Sequence, residues 1–434
     1  MSAYFTRRRL PVLAGFAAAT AMVAACSSGS TSQQNSSGGS TPSGSAVAAS
    51  SSKCGVNVVV PPASDPDGVW KGLPADIQAR YSNWPYPLYK SPWASFAGKK
   101  GPWKFGFISF PIISNWQTDI ITQLKTEIAA AKAKGLSTGT LETYVQPSFA
   151  TATPEQQISA IQNMVRDGVD GIFLLPGSTT PLAPAIDAAG KAGVPVVLLD
   201  NVVPTSKYAI NVWSENQSAT YAGTMALIHG KGNVVILRGV QGAPSEAPFY
   251  NDGLAAVQRC PDAKLIGTIP GDWTDAGAKT SMLKFLASHP TAKVDAVIQN
   301  GATVAGLIEA FQQVGKPVPI ISGGEINGGA LWWWSQHKDT YQTVGTYFNG
   351  YQTAHTEWQI MIRVLAGKGL KMSGINIQPE TITNSNLAQY TPPHAINLGD
   401  QYDLPQLPLA GWGGTSAYLD PYFNQPGNPG SLDQ

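Results

Sequence analysis

Charge is scarce in this 434-residue chain: Asp, Glu, Lys and Arg make up 13% of it, roughly half the usual share. The first 25 residues hold three arginines and no acid, so the rest carries 25 basic and 27 acidic side chains, a net of −2. Such a chain has no basic surplus with which to grip nucleic acid or an anionic membrane surface. Histidine is equally thin. His229, His289, His337, His355 and His394 form no H-x-x-x-H pair and no Cys/His cluster, which leaves no metal site to expect. There is neither a Walker A sequence nor a full G-x-G-x-x-G, so no cofactor is expected. Gly135-Leu-Ser-Thr-Gly139 fits G-x-S-x-G, but it lies between a helical pattern and the next strand, whereas a nucleophile elbow needs strand before and helix after. Cysteine occurs three times, at Cys26, Cys54 and Cys260.

What is abundant is aromatic: 12 Trp, 15 Tyr and 13 Phe. With few charges, that stock favours recognition by stacking and hydrogen bonds over ion pairing.

The N-terminus reads as an export signal. Arg7, Arg8 and Arg9 precede an uncharged apolar stretch from Leu10 to Ala25, which ends in Val23-Ala24-Ala25-Cys26. A basic region, a short apolar run and small residues at its end describe a cleaved signal peptide over 1–25; a spanning helix would need about 20 apolar residues. The small-small-Cys ending resembles a bacterial lipobox, in which the cysteine is lipidated. Residues 27–52 hold 12 serines, no charge and no aromatic, the composition of a flexible tether. The expectation is an extracytoplasmic domain, lipid-anchored to the bacterial cell membrane through Cys26, with 26–52 as leash. Cys54 and Cys260 then remain either as a disulfide in an oxidising compartment or as two unpaired small residues.

Residues 53–102 are rich in Pro and Trp (Trp84-Pro85-Tyr86-Pro87, Pro92-Trp93) without sustained periodicity and read as an ordered extension packed over the core. From Lys104 short apolar runs alternate with amphipathic segments: Phe105 to Ser109, then Asn115 to Lys134; Gly171 to Leu175, then Pro181 to Ala192; Val196 to Asp200. The rhythm repeats from Asn233 to Ser322, and Thr343 to Leu365 adds a last strand-helix unit. Strands alternating with helices give an α/β fold of βαβ units, here two doubly wound parallel-sheet lobes. Each lobe presents binding loops at the C-terminal ends of its strands. The expected N-lobe is 103–212 with 346–372, and the C-lobe 213–345 with 373–389. Three hinge crossings are expected near Asn211 to Ser214, Val344 to Tyr347 and Lys371 to Ile375. The stretch 390–434 is a Pro/Gly/aromatic tail on the surface. Trp332-Trp333-Trp334 falls in a helical pattern and is expected to pack against the extension or tail.

Over roughly Lys104 to Gly374 the sequence resembles the ribose-binding-protein-like family of type I periplasmic binding proteins, the receptors of carbohydrate ABC importers. Ser109 to Trp116 looks like the first binding loop, Leu198-Leu-Asp200 like the strand ending in Asp, and Pro270-Gly-Asp-Trp273 falls where a second-lobe aromatic is usual. Gln299-Asn300 matches the family's QN, and Gly323-Gly-Glu325 sits where Gly-Phe-Asp is usual. The sequence also departs from the family: a sugar-binding arginine falls on Tyr250, Asn201 replaces an arginine after Asp200, and Gly301 replaces an aspartate. The resemblance implies ligand contacts from Ser109, Trp116, Asp200, Asn201, Tyr250, Trp273, Asn300 and Glu325. The partners it implies are a small neutral sugar or polyol and a membrane permease, with the receptor monomeric and not an enzyme.

Each of these residues has a plainer alternative. Either tryptophan could be core, and Asp200, Asn300 and Glu325 could cap helices that follow their strands. Two other functions stay open: a tethered sensory protein that presents its ligand to a membrane receptor, and a glycosidase using Asp200 and Glu325 as its carboxylate pair.

Overall fold

Trp103–Ser109 (β1) is buried on both faces, which is why it reads as an apolar run instead of an alternating one. Phe105 and Phe107 point to one side with Phe173, Leu175, Val197 and Leu199, while Ile108 joins Ile172, Leu174, Val196 and Leu198 on the other. This period of two places helices on both faces. The strands that follow are Ser137–Val145 (β2), Gly171–Leu175 (β3), Val196–Leu199 (β4) and Ala209–Trp213 (β5). The second lobe contributes Lys231–Arg238 (β6), Asp262–Pro270 (β7), Ala296–Ile298 (β8) and Ile320–Ile321 (β9). Gly345–Thr346 (β10), Gly374–Asn376 (β11) and Thr381–Ile382 (β12) complete the set.

The computed structural model describes residues 54–429, apart from 59–60, 82–83, 214–216, 348, 395–396 and 401–413. The signal peptide, Cys26 and the tether therefore lie outside the described residues, as do Ser214 at the first crossing and 411–413 of the tail.

Two parallel sheets form the α/β architecture, one of order β11-β5-β4-β3-β1-β2 and one of order β7-β6-β8-β9. In the second, Val235, Leu237 and Val297 face one helical layer, and Val234, Ile236 and Ile298 face the other. β10 and β12 pair antiparallel beside it. The helix Gly350–Leu365 returns to the first lobe, where Trp358 meets Phe105 with ring centroids 5.0 Å apart. One boundary differs from the sequence expectation. Gly374–Asn376 was expected with the second lobe, but it pairs in parallel with β5 and is the edge strand of the first sheet.

The extension touches both lobes. Cys54 is bonded to Cys260, just past the second-lobe helix Glu246–Gln258. Tyr81, Trp84, Leu88 and Trp93 are buried in the first-lobe core, where Tyr81 donates to the Gly374 carbonyl at 2.8 Å. Tail residues Tyr418, Leu419, Tyr422 and Phe423 are buried in that same core instead of lying on the surface. Arg363, buried on the helix Gly350–Leu365, pairs with Asp420 at 2.7 Å. The tryptophan triplet lies in the second-lobe core, to which Trp333 and Trp334 belong, with the Trp334 indole donating to Asn384 at 2.8 Å. They are helix residues of Gly328–His337 facing their own sheet. Among the described tail residues, Tyr390 and Leu398 join this second-lobe core, and the Asp400 carbonyl accepts the Gly329 N–H at 2.7 Å.

Candidate functional site

The strand ends of both sheets converge on one cleft, at the edge where open α/β sheets take ligands. From the first lobe it is lined by Phe110, Ile113, Ser114, Trp116 and Gln117 after β1, Leu175 at the end of β3, and Asp200 and Asn201 after β4. From the second lobe come Ser245 and Phe249 at the start of a helix, Trp273 after β7, Asn300 and Gly301 after β8, and Glu325 after β9.

Six of the eight residues anticipated from sequence thus meet here: Trp116, Asp200, Asn201, Trp273, Asn300 and Glu325. Ser109 does not line the cleft. It is the fully buried last residue of β1, and its hydroxyl accepts from Gln117 Nε2 at 3.3 Å. Gln117 in turn accepts the Ile113 N–H at 2.8 Å and donates to the Pro111 carbonyl at 3.0 Å, so Ser109 supports the loop and does not face a ligand. Tyr250 is also absent from the lining. Its ring lies under the Arg238 guanidinium, 4.1 Å from the centroid, in a smaller neighbouring cavity. The residue before it, Phe249, faces the cleft instead. Phe110, Phe249, Gln117 and Ser245 were not singled out from sequence.

None of the three strand-end polar residues occupies a helix N-cap position. The N-cap position of the helix after Asn300 is Thr303, whose side chain makes no capping bond; the helix after Glu325 is capped by Asn327, which accepts the Ala330 N–H; and no helix follows Asp200 directly.

Backbone strain gathers at this edge. Among the described residues only four non-glycine residues have left-handed φ, and three are here: Asp200 (55°), Asp272 (52°) and Trp273 (54°). Conformations of this kind cost on the order of 1–3 kcal/mol and persist where surrounding packing holds them. For Trp273 the packing is specific. A Cβ built on Gly239 would fall 2.1 Å from its Nε1, and one on Gly301 would fall 2.6 Å from its Cδ1. Only glycines leave room for the indole, whose Nε1 donates to Asn300 Oδ1 at 3.3 Å.

The lobes also touch one another. Asn201 Oδ1 accepts the Ser245 N–H at 3.1 Å, and Phe249 packs on Trp213 with centroids 5.4 Å apart. Behind the cleft, Tyr86 of the extension lies 6.1 Å from Trp213. Burial, and then the charge of Asp200, pushes the Tyr86 hydroxyl up to about 12. Glu357, fully buried on the helix Gly350–Leu365, is held well above the carboxylate range by burial and then by Asp200. Arg238 makes two bonds to Glu246, at 2.6 and 2.5 Å, so its charge is matched locally. No group of three or more metal-ligating side chains occurs among the described residues, and none of their helices is long and apolar enough to cross a membrane.

Rings from both lobes, amides and carboxylates around one small cleft can cover the apolar faces of a compact solute and satisfy its polar rim. Such an arrangement defines a two-lobed solute-binding protein of the type I periplasmic binding fold. The comparisons give the family: residues 105–369 match the periplasmic binding protein domain, and the chain belongs to that family. It is 34% identical over 185 residues to the galactofuranose-binding protein YtfQ of Escherichia coli (strain K12), covering 40% of this chain and 58% of that protein. It is 25% identical over 177 residues to the xylitol-binding protein of Mycolicibacterium smegmatis, covering 40% of this chain and 51% of that protein. The chain thus spans between half and two thirds of these curated relatives. Among solved structures, an ABC transporter solute binding protein from Thermobispora bispora superposes with a TM-score of 0.58 at 26% identity, covering 66% of this chain and 87% of that one. All three are binding proteins by name.

Proposed function

We propose that this chain is the extracytoplasmic receptor of an ABC importer, held to the membrane by a lipid on Cys26, and that it takes a small carbohydrate-like solute between its lobes for delivery to a permease. The observation that supports this most is the division of the cleft: each lobe supplies two aromatic rings and one carboxylate, with the amides of Gln117 and Asn201 from the first and of Asn300 from the second. A solute that touches both sets stabilises the closed arrangement over any open one by its differential contacts, which is the energetic requirement for hinge closure. The hinge lies where the chain passes between lobes, after β5, before the helix Gly350–Leu365 and after β11. Trp116 and Trp273 act as stacking platforms, and Asp200, Asn201, Asn300 and Glu325 hold the polar rim. The neutral ligand that the family resemblance implies draws no support from Tyr250, which does not line the cleft.

The test is uptake. A strain without this chain should lose high-affinity uptake of one radiolabelled sugar or polyol from a broad panel and regain it when the chain is restored. Unchanged uptake of every member would reject the importer reading. In the restored strain, Cys26→Ala should move the protein from the membrane to the soluble fraction, since one lipid and a neutral tether are its only proposed anchor.

A further inference from the structure

The charge of the cleft is one-sided. Asp200 comes from the first lobe and Glu325 from the second, and no Lys, Arg or His is among the residues lining it. The parts of the chain after Lys53 that lie outside the described residues contain no basic side chain either. Arg238, which lines the smaller neighbouring cavity, is bonded twice to Glu246 and seated on Tyr250. Two carboxylates therefore face the solute with a formal charge of −2, among four rings: Phe110 and Trp116 on one lobe, Phe249 and Trp273 on the other.

We propose that the solute carries a positive charge: a polyhydroxylated amine whose ammonium lies between Asp200 and Glu325 while the rings cover its apolar faces. This rests on the reading of the cleft as a solute site and names the class of solute. Three physical arguments converge on it. Sugar hydroxyls can donate to both carboxylates, but they leave the net charge in place as the lobes close and water leaves, and buried charge is costly without an opposite charge. An ammonium removes it and supplies three donors. The rings are suited to the same group, because the faces of Trp and Phe attract cations, most strongly when desolvated. An anionic solute would meet like charge from both lobes and no cationic donor.

Calorimetry of the full-length chain in mild detergent tests this with matched pairs: glucosamine against glucose, galactosamine against galactose, 1-amino-1-deoxysorbitol against sorbitol, with glucuronate as the anion. The expected result is that the amine of at least one pair binds about tenfold or more tighter than its neutral parent, with glucuronate weakest. Asp200→Asn and Glu325→Gln should each erase most of that advantage, weakening the amine by several-fold more than its neutral parent. Asparagine tolerates the left-handed φ of 55° at position 200, so the first change neutralises charge without straining the turn. If the parents bind as tightly as the amines, the solute is neutral and the cation inference falls while the receptor reading stands. An amine advantage that survives both substitutions also overturns it, because the charge would then be read elsewhere. Absence of binding by all seven compounds would count against the inference and the carbohydrate-like receptor reading together.

Discussion

The side chain of Asn201, at the end of a first-lobe strand, accepts the backbone N–H of Ser245 from the second lobe at 3.1 Å. Asn201 is 3% exposed and Ser245 5%, so the bond is shielded from water and exists only while the lobes are together. Asn201→Ala leaves that N–H without its partner in the closed arrangement, at a cost of about 1–3 kcal/mol, and lets water satisfy it in an open one. Ligand affinity should therefore fall about fivefold or more, while the melting temperature of the empty protein changes by only a few degrees. Small-angle scattering should show a more open ligand-free population. Unaltered affinity would mean that the bond contributes nothing to closure.

The fate of two adjacent residues shows what was legible in the sequence. The strands were visible because a parallel sheet buries both faces, so Phe105 to Ser109 or Val196 to Leu199 appear as unbroken apolar runs, and Asp200, Asn300 and Glu325 stand out as the polar residues that end them. Position along a helix is harder. Neighbours are rotated by about 100°, so the choice between Phe249 and Tyr250 is a choice between the cleft and the neighbouring cavity beneath Arg238, fixed by how the helix Glu246–Gln258 packs on its own sheet. β11 was misplaced for a related reason: a three-residue strand has no period, and its pairing with β5 is made by backbone groups that side chains do not report. The glycine seat of Trp273 was hidden because Gly239 and Gly301 meet it only in the folded chain.

Phe249 and Tyr250 can be separated by experiment. Phe249→Ala removes a ring that lines the cleft and packs across the lobes on Trp213, and ligand affinity should drop about tenfold. Tyr250→Phe keeps the ring beneath Arg238 and should leave affinity within about twofold. Isothermal titration of the two variants would reverse the assignment if Tyr250→Phe were the more damaging.

The bond between Cys54 and Cys260 closes a loop with a sequence separation of 206. In the loop-entropy model a cross-link of that span stabilises by up to about 5 kcal/mol. Urea midpoints of oxidised and reduced protein should differ accordingly, and the unfolded, non-reduced domain should return no free thiol at these positions. Equal midpoints would place the stability of the extension in its aromatic packing alone.

Glu357 gives a pH dependence of definite sign. Both of its carboxyl oxygens are buried without a hydrogen-bond partner, and burial, then Asp200, raises it well above the carboxylate range. The folded protein keeps this proton while the unfolded chain releases it above about pH 4.3. The contribution of Glu357 to stability is therefore full below that pH and is lost as pH rises towards its folded value. Relative to Glu357→Gln, which does not titrate, the wild type should lose up to about 1.4 kcal/mol per pH unit above about pH 4.3. Parallel stability curves for the two proteins between pH 4.5 and 7.5, measured by urea unfolding, would show that Glu357 ionises in the folded state.

Trp273 sets function against stability. Its φ of 54° is unfavourable for a residue with a Cβ, and it is kept there by the gap between Gly239 and Gly301 and by the bond to Asn300. Trp273→Gly removes the ring and relieves the backbone, since glycine adopts positive φ without steric cost. The relief, about 1 kcal/mol, offsets part of the packing lost by a half-buried ring, so unfolding free energy should shift by no more than about 1–2 kcal/mol. Ligand binding has no such offset and should weaken by about tenfold or more. Gly239→Ala approaches the same question from the other side: the ring stays, but a Cβ 2.1 Å from Nε1 must displace it. If both variants lose ligand while remaining folded, the placement of the indole is what the solute requires. A Gly239→Ala protein with wild-type affinity would show that Trp273 lines the cleft without touching its occupant.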